Sequence, residues 1–81
     1  MDEKSILGRI DELVDEEHRL RQRLVAGEIS TDEEHARLRE LEESLDQCWD
    51  LLRRRRAARD AGADPDAVEP RPVDEVERYL Q

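Results

Sequence analysis

The ten residues Val25-Ala26-Gly27-Glu28-Ile29-Ser30-Thr31-Asp32-Glu33-Glu34 decide how this chain folds. Gly27 is the residue best able to take the left-handed conformation that closes a helix. Ser30 and Thr31 are candidate N-caps, and each has a Glu three residues on (Glu33 and Glu34), so the capping-box pattern occurs twice in overlapping form. A stop followed at once by a start predicts two helices joined by a short link. The alternative is one continuous helix pairing in parallel, because the heptad register runs through the link and puts Gly27, Thr31 and Glu34 on seam positions. Three successive seam positions without a large apolar side chain, together with the stop and start signals, favour the hairpin.

Upstream of the link, Ile6, Ile10, Leu13, Leu20 and Leu24 alternate four and three apart, with Glu17 in the one polar slot. This is a heptad seam. Ser5 is the expected N-cap, with Asp2 and Glu3 favourably placed at the positive end of the helix dipole, so the first helix is expected over about 5–26. Downstream, Leu38, Leu41, Leu45, Cys48 and Leu52 continue the pattern with Trp49 beside it. Gly62 and then Pro65 end that second helix, expected over about 31–61. Folded back, the seams pair as Leu20 with Leu38, Glu17 with Leu41, Leu13 with Leu45, Ile10 with Cys48 and Ile6 with Leu52. Glu17 is expected to find an Arg of the second helix, such as Arg37, or to lie at the bundle edge.

From Ala63 the chain changes character. Asp64-Pro65-Asp66 and Glu69-Pro70-Arg71-Pro72 indicate an extended linker. Asp74 is placed to cap a last helix, Glu75 to Leu80, presenting Val76 with Tyr79 or Leu80. So short a helix does not form alone, so it must dock, either on the hairpin beside Trp49 or on a partner. The expected fold is therefore all-α. It is an antiparallel two-helix coiled-coil hairpin over 1–62, followed over 63–81 by a Pro-containing linker and a short C-terminal helix.

Composition narrows the function classes. Eighty-one residues that are 46% charged and 36% apolar, with one Trp, one Tyr and no Phe, cannot fill a deep core. A net charge of −9 argues against a general binder of nucleic acid or anionic membrane. No apolar run is long enough to span a bilayer and the first residues lack a secretory pattern, so the expectation is a cytoplasmic protein. Cys48 is the one cysteine and is expected to be a buried, inert thiol. No Gly-rich phosphate loop, Cys-x-x-Cys pair or Ser/His/Asp arrangement is present, so no enzyme and no cofactor is expected.

Three constellations remain. Asp15-Glu16-Glu17-His18 echoes Asp32-Glu33-Glu34-His35, and Asp-x-x-His on one helical face is a metal-ligand spacing; the register, however, points Asp15 and His18 away from the seam and lets Asp32 with His35 do no better than flank it. Arg53, Arg54, Arg55, Arg56 and Arg59 form the basic cluster, a candidate anion or nucleic-acid contact that also suits the negative end of a helix dipole. Finally, Leu7, Val14, Trp49 and Leu51 are surplus to a two-helix seam. They are expected at an interface, with Tyr79 and Leu80 as tail anchors. Two helices share too little surface to be stable alone, so the leading expectation is a non-catalytic interaction protein that forms a homodimer and acts as an adaptor or regulator.

The chain also resembles a known family. The residues that carry the likeness are Ser5-Ile6-Leu7, Ile10-Asp11-Glu12-Leu13-Val14, Glu16-Glu17-His18-Arg19-Leu20 and Glu34-His35-Ala36-Arg37-Leu38. The block Leu45-Asp46-Gln47-Cys48-Trp49-Asp50-Leu51-Leu52-Arg53 and the ending Val76-Glu77 with Tyr79-Leu80-Gln81 complete it. Together they are similar to a small, mainly actinobacterial family classed as a domain of unknown function. The likeness spans nearly the whole chain, is most specific over Asp46 to Leu52, and implies no activity.

Overall fold

Asp2, not Ser5, starts the first helix. Its carboxylate accepts from the Ser5 N–H at 2.7 Å, and that hydrogen bond holds the carboxyl below its ordinary value. The computed structural model describes residues 2–80; Met1 and Gln81, the outer ends of the two expected segments, lie outside them. Helix α1 spans Glu3–Val25 and α2 spans Thr31–Asp60. The earlier start of α1 follows from capping chemistry, since Asp serves as well as Ser and lies three residues before a free N–H.

The link closes as the sequence demands. Gly27 has φ +76°, its N–H donates to the Leu24 carbonyl, and the Glu28 N–H donates to the Arg23 carbonyl at 2.9 Å. This is the Schellman pattern. Gly62, with φ +77°, ends α2 in the same way through Ala63 to Ala58. At the start of α2 the Ser30 hydroxyl accepts from the Glu33 N–H at 3.1 Å and donates back to the Glu33 carboxylate at 3.2 Å.

Two long-range ion pairs fix the direction of packing. Arg37 donates to Glu16 at 2.8 Å and Arg56 to Glu3 at 2.7 Å, so α2 ascends as α1 descends. The buried apolar residues of the two helices form two clusters, the seam residues Ile6, Ile10 and Leu52 with the neighbouring Leu51 at the open end, and Leu13, Leu20 and Leu41 toward the link. Leu45 and Cys48 join both clusters. Glu17 does not reach Arg37. It pairs with Arg21 of its own helix at 2.6 Å, while Arg37 is taken by Glu16 and Glu40. An i,i+4 partner on the same helix is simply nearer than one across the seam.

The linker is less extended than expected. Pro65–Ala67 forms a 3₁₀ turn capped by the Asp64 carboxylate, which accepts from the Asp66 N–H at 2.9 Å. Helix α3 spans Val73–Leu80 and begins before Asp74, because the Pro72 carbonyl accepts from both Glu75 and Val76. The 3₁₀ turn and α3 pack on α2, and α3 makes no packing contact with α1. The three helices therefore form a slab of 51 × 26 × 13 Å with α2 in the middle.

Candidate interaction site

The residues that follow a seam position and those that precede one have different fates. In an antiparallel pair the two kinds line opposite edges of the seam. Leu51 precedes Leu52, Gln47 precedes Cys48 and Arg9 precedes Ile10. These three, with Cys48 and Pro70, line a cavity of about 190 Å³ between the hairpin and the linker. Leu51, expected at an interface with another helix, is 3% exposed within the single chain, and Val68 of the linker packs against its cluster. Cys48 is half-buried here, and burial pushes its thiol up from the ordinary value.

Along this edge α2 grips the linker by its backbone. Arg55 donates to the Pro65 carbonyl at 2.8 Å, Arg54 to the Glu69 carbonyl at 2.6 Å, and Gln47 to the Arg71 carbonyl at 2.8 Å. A segment with no ladder of its own has its acceptors satisfied by side chains of a neighbouring helix. Asp50 completes the clamp. It is 3% exposed and accepts from Arg54 at 3.0 Å and from the Arg71 Nε at 3.1 Å, while a second Arg71 nitrogen meets its other oxygen. The Arg71 fork and then Arg54 hold the Asp50 carboxyl below its ordinary value. Arg71 also lies 5.5 Å from the Tyr79 ring centroid, a cation–π contact.

The basic cluster is thus largely spent on the chain itself. Arg54 and Arg55 hold the linker, with Arg55 also donating to Asp66 at 2.9 Å, and Arg56 ties α2 to Glu3. Arg53 and Arg59 remain exposed. Periodicity could have shown this division, since Gln47, Asp50, Leu51, Arg54 and Arg55 recur at i, i+3, i+4, i+7 and i+8 and mark a second face of α2. The tail anchor also differs from expectation. Val76 is 1% exposed, whereas Tyr79 and Leu80 are 74% and 50% exposed. Val76 is the α3 side chain that α3 turns into the protein, and the aromatic side chain three residues on lies over Arg71 instead.

The opposite edge is open. Leu7 follows Ile6 and Trp49 follows Cys48, so both fall on the side away from the linker clamp; they are 38% and 41% exposed. Val14, which follows Leu13, is half-buried against the core cluster of Ile6, Ile10, Leu51 and Leu52.

Residues 2–81 match the model of a family described as a protein of unknown function, DUF2630. The chain belongs to this family. Among curated proteins it is similar to members described only as uncharacterised, one from Mycobacterium bovis and two from Mycobacterium tuberculosis. Each is 53% identical over 73 residues, covering 90% of this chain and 84% of the relative. No solved structure matches.

The remaining candidates gain no geometry from the fold. His18 and His35 are both exposed, and His35 lies 3.7 Å from the neighbouring Glu34. Among the described residues no group of three or more His, Cys, Asp or Glu side chains is placed to hold a metal ion. No helix among them is long and apolar enough to cross a membrane.

Proposed function

We propose that this chain is a non-catalytic protein–protein interaction module of the cytoplasm, a coiled-coil hairpin that pairs with a second copy through the edge carrying Leu7, Val14 and Trp49 and serves as an adaptor or regulator. The observation that carries the reading is that Trp49 and Leu7, which fall on the edge away from the linker clamp, stay 41% and 38% exposed. A slab with α2 flanked on one side by α1 and on the other by the tail still has two broad faces, and small domains normally bury such faces against a further layer. A large aromatic side chain is the residue type that dominates association energies at interfaces. Two hairpins meeting along that edge would form a four-helix bundle.

The clamp geometry disfavours the rival use of the Arg53–Arg59 cluster as a nucleic-acid site, because its central arginines already have internal acceptors. Light scattering across a dilution series tests the leading reading. The expected mass is twice the 9.5 kDa of one chain. Trp49→Ala should weaken the dimer by about 2 kcal/mol or more, on the order of 30-fold in dissociation constant. A wild-type mass of one chain at every concentration overturns self-association.

A further inference from the structure

We propose that the contact between α2 and α3 is a pH-sensitive latch, closed when Glu77 and Asp46 share a proton and loosened when both are ionised. Glu77 follows the buried Val76 on α3 and is itself only half-exposed. Its Oε1 is occluded from solvent and has no hydrogen-bond partner among the described residues. What faces it from α2 is a row of acids. Asp46, Glu42 and Glu43 line a cavity of about 220 Å³ with Glu77, and Arg39 is the cation among them. Arg39 already pairs with Glu43 at 3.4 Å. On α3 itself the charged neighbours are Asp74, Glu75 and Arg78, and the three are exposed. Arg71, at the foot of α3, is committed to Asp50.

An ionised carboxylate only accepts hydrogen bonds, so two of them in contact offer each other repulsion and no donor. One proton between them changes this, since the protonated partner donates and the occluded oxygen is satisfied. The geometry agrees with the direction of titration. The contact with Asp46, then burial, then the charges of Asp46 and Glu43 raise the Glu77 carboxyl above its ordinary 4.5, with Arg39 opposing. Because the docked state holds the proton more tightly, α3 docking is strongest below the ordinary carboxylate range. That gain is lost as pH rises through the docked pKa of Glu77.

One helical turn along α2, Asp50 works in the other sense. Its docked pKa is lowered by Arg71 and Arg54, so its contribution is present above the ordinary 3.8 and disappears as pH falls through the lower docked value. The two carboxyls bracket a window of tightest docking. Above that window the clamp on Arg71 persists while α3 loosens, so the latch opens from its far end. This reading does not depend on self-association.

Amide hydrogen exchange in the full chain, corrected for the intrinsic pH dependence of exchange, tests the latch between pH 4.5 and 8.5. Protection of α3 amides should fall as pH rises while protection of α1 amides stays level. The loss should be about tenfold for each unit by which the Glu77 midpoint exceeds its ordinary value. Glu77→Gln supplies a permanent donor to Asp46 and should make α3 protection high and flat, as should Asp46→Asn. A carbon-13 titration of the Glu77 carboxyl in the wild-type chain should give a raised midpoint. An ordinary midpoint, level α3 protection in the wild type, or the same fall in Glu77→Gln overturns the proposal.

Discussion

The two faces of α2 hold their neighbours by different physics. Toward α1 it presents Leu41, Leu45, Cys48 and Leu52, and the contact is chiefly apolar area with no preferred direction, the Arg37–Glu16 and Arg56–Glu3 pairs lying at its exposed margins. Toward the tail it presents Gln47, Asp50, Arg54 and Arg55, and most of the contact is hydrogen bonds to named acceptors and donors. Apolar burial stabilises at roughly 25 cal/mol per Å² wherever area is removed from water, so the seam makes the hairpin stable without demanding much of the partner. A Pro-containing linker has little area to offer and many unpaired carbonyls, so only directional groups can say where it lies. One helix therefore divides the work between a face that stabilises and a face that positions.

The seam should show the largest effect. Leu41 is 1% exposed, and Leu41→Ala should cost about 2–5 kcal/mol. For a chain of this length total stability is about 4–12 kcal/mol. Urea unfolding followed by circular dichroism should show the midpoint falling steeply and the whole helical signal lost in one transition. If α1 and α2 stay folded when Leu41 is truncated, the seam is not what holds them together.

The clamp should act more locally. Asp50→Asn keeps the shape but removes the charge that two arginines share. Hydrogen bonds to charged groups contribute about 1.5–3 kcal/mol each, and Arg71, part-exposed, can regain water, so the lower end applies. The expected result is about tenfold less protection of α3 amides, with the hairpin's urea midpoint little changed. An equal loss in α1 and α3 would mean that the two faces of α2 fold as one cooperative unit and the division drawn above is false.

How much of this was legible follows the same division. The seam, the link at Gly27 and the end at Gly62 are local or periodic features, and the sequence displays them directly. The clamp is not legible in this way, although Asp50 lies four residues before Arg54. A helical i,i+4 ion pair satisfies the eye, and nothing local says that Arg71, 21 positions on, completes it. Arg53 to Arg56 invited a single explanation as a basic run. Four successive helical positions face four directions, and the structure gives them a solvent face, two linker contacts and a tie to Glu3. Val76, not the larger Tyr79 or Leu80, is the buried residue of α3, because which side of an eight-residue helix turns inward depends on where the clamp sets it down.

The two glycine stops offer the finest test of the comparison. Gly27 and Gly62 end their helices with the same hydrogen bonds and nearly the same φ, and a Cβ at either position would meet nothing within 4 Å. Replacing either by Ala therefore costs only the left-handed conformation, roughly 1–2 kcal/mol. The local cost is matched, but the connection is not. Gly27 joins the two halves of the apolar seam, so Gly27→Ala should lower the thermal midpoint of the hairpin by several degrees. Gly62 joins α2 to the clamped linker, so Gly62→Ala should leave that midpoint nearly unchanged and reduce exchange protection in α3 alone. A matched loss of midpoint in both variants would show that the tail contributes to the stability of the hairpin as well as lying upon it.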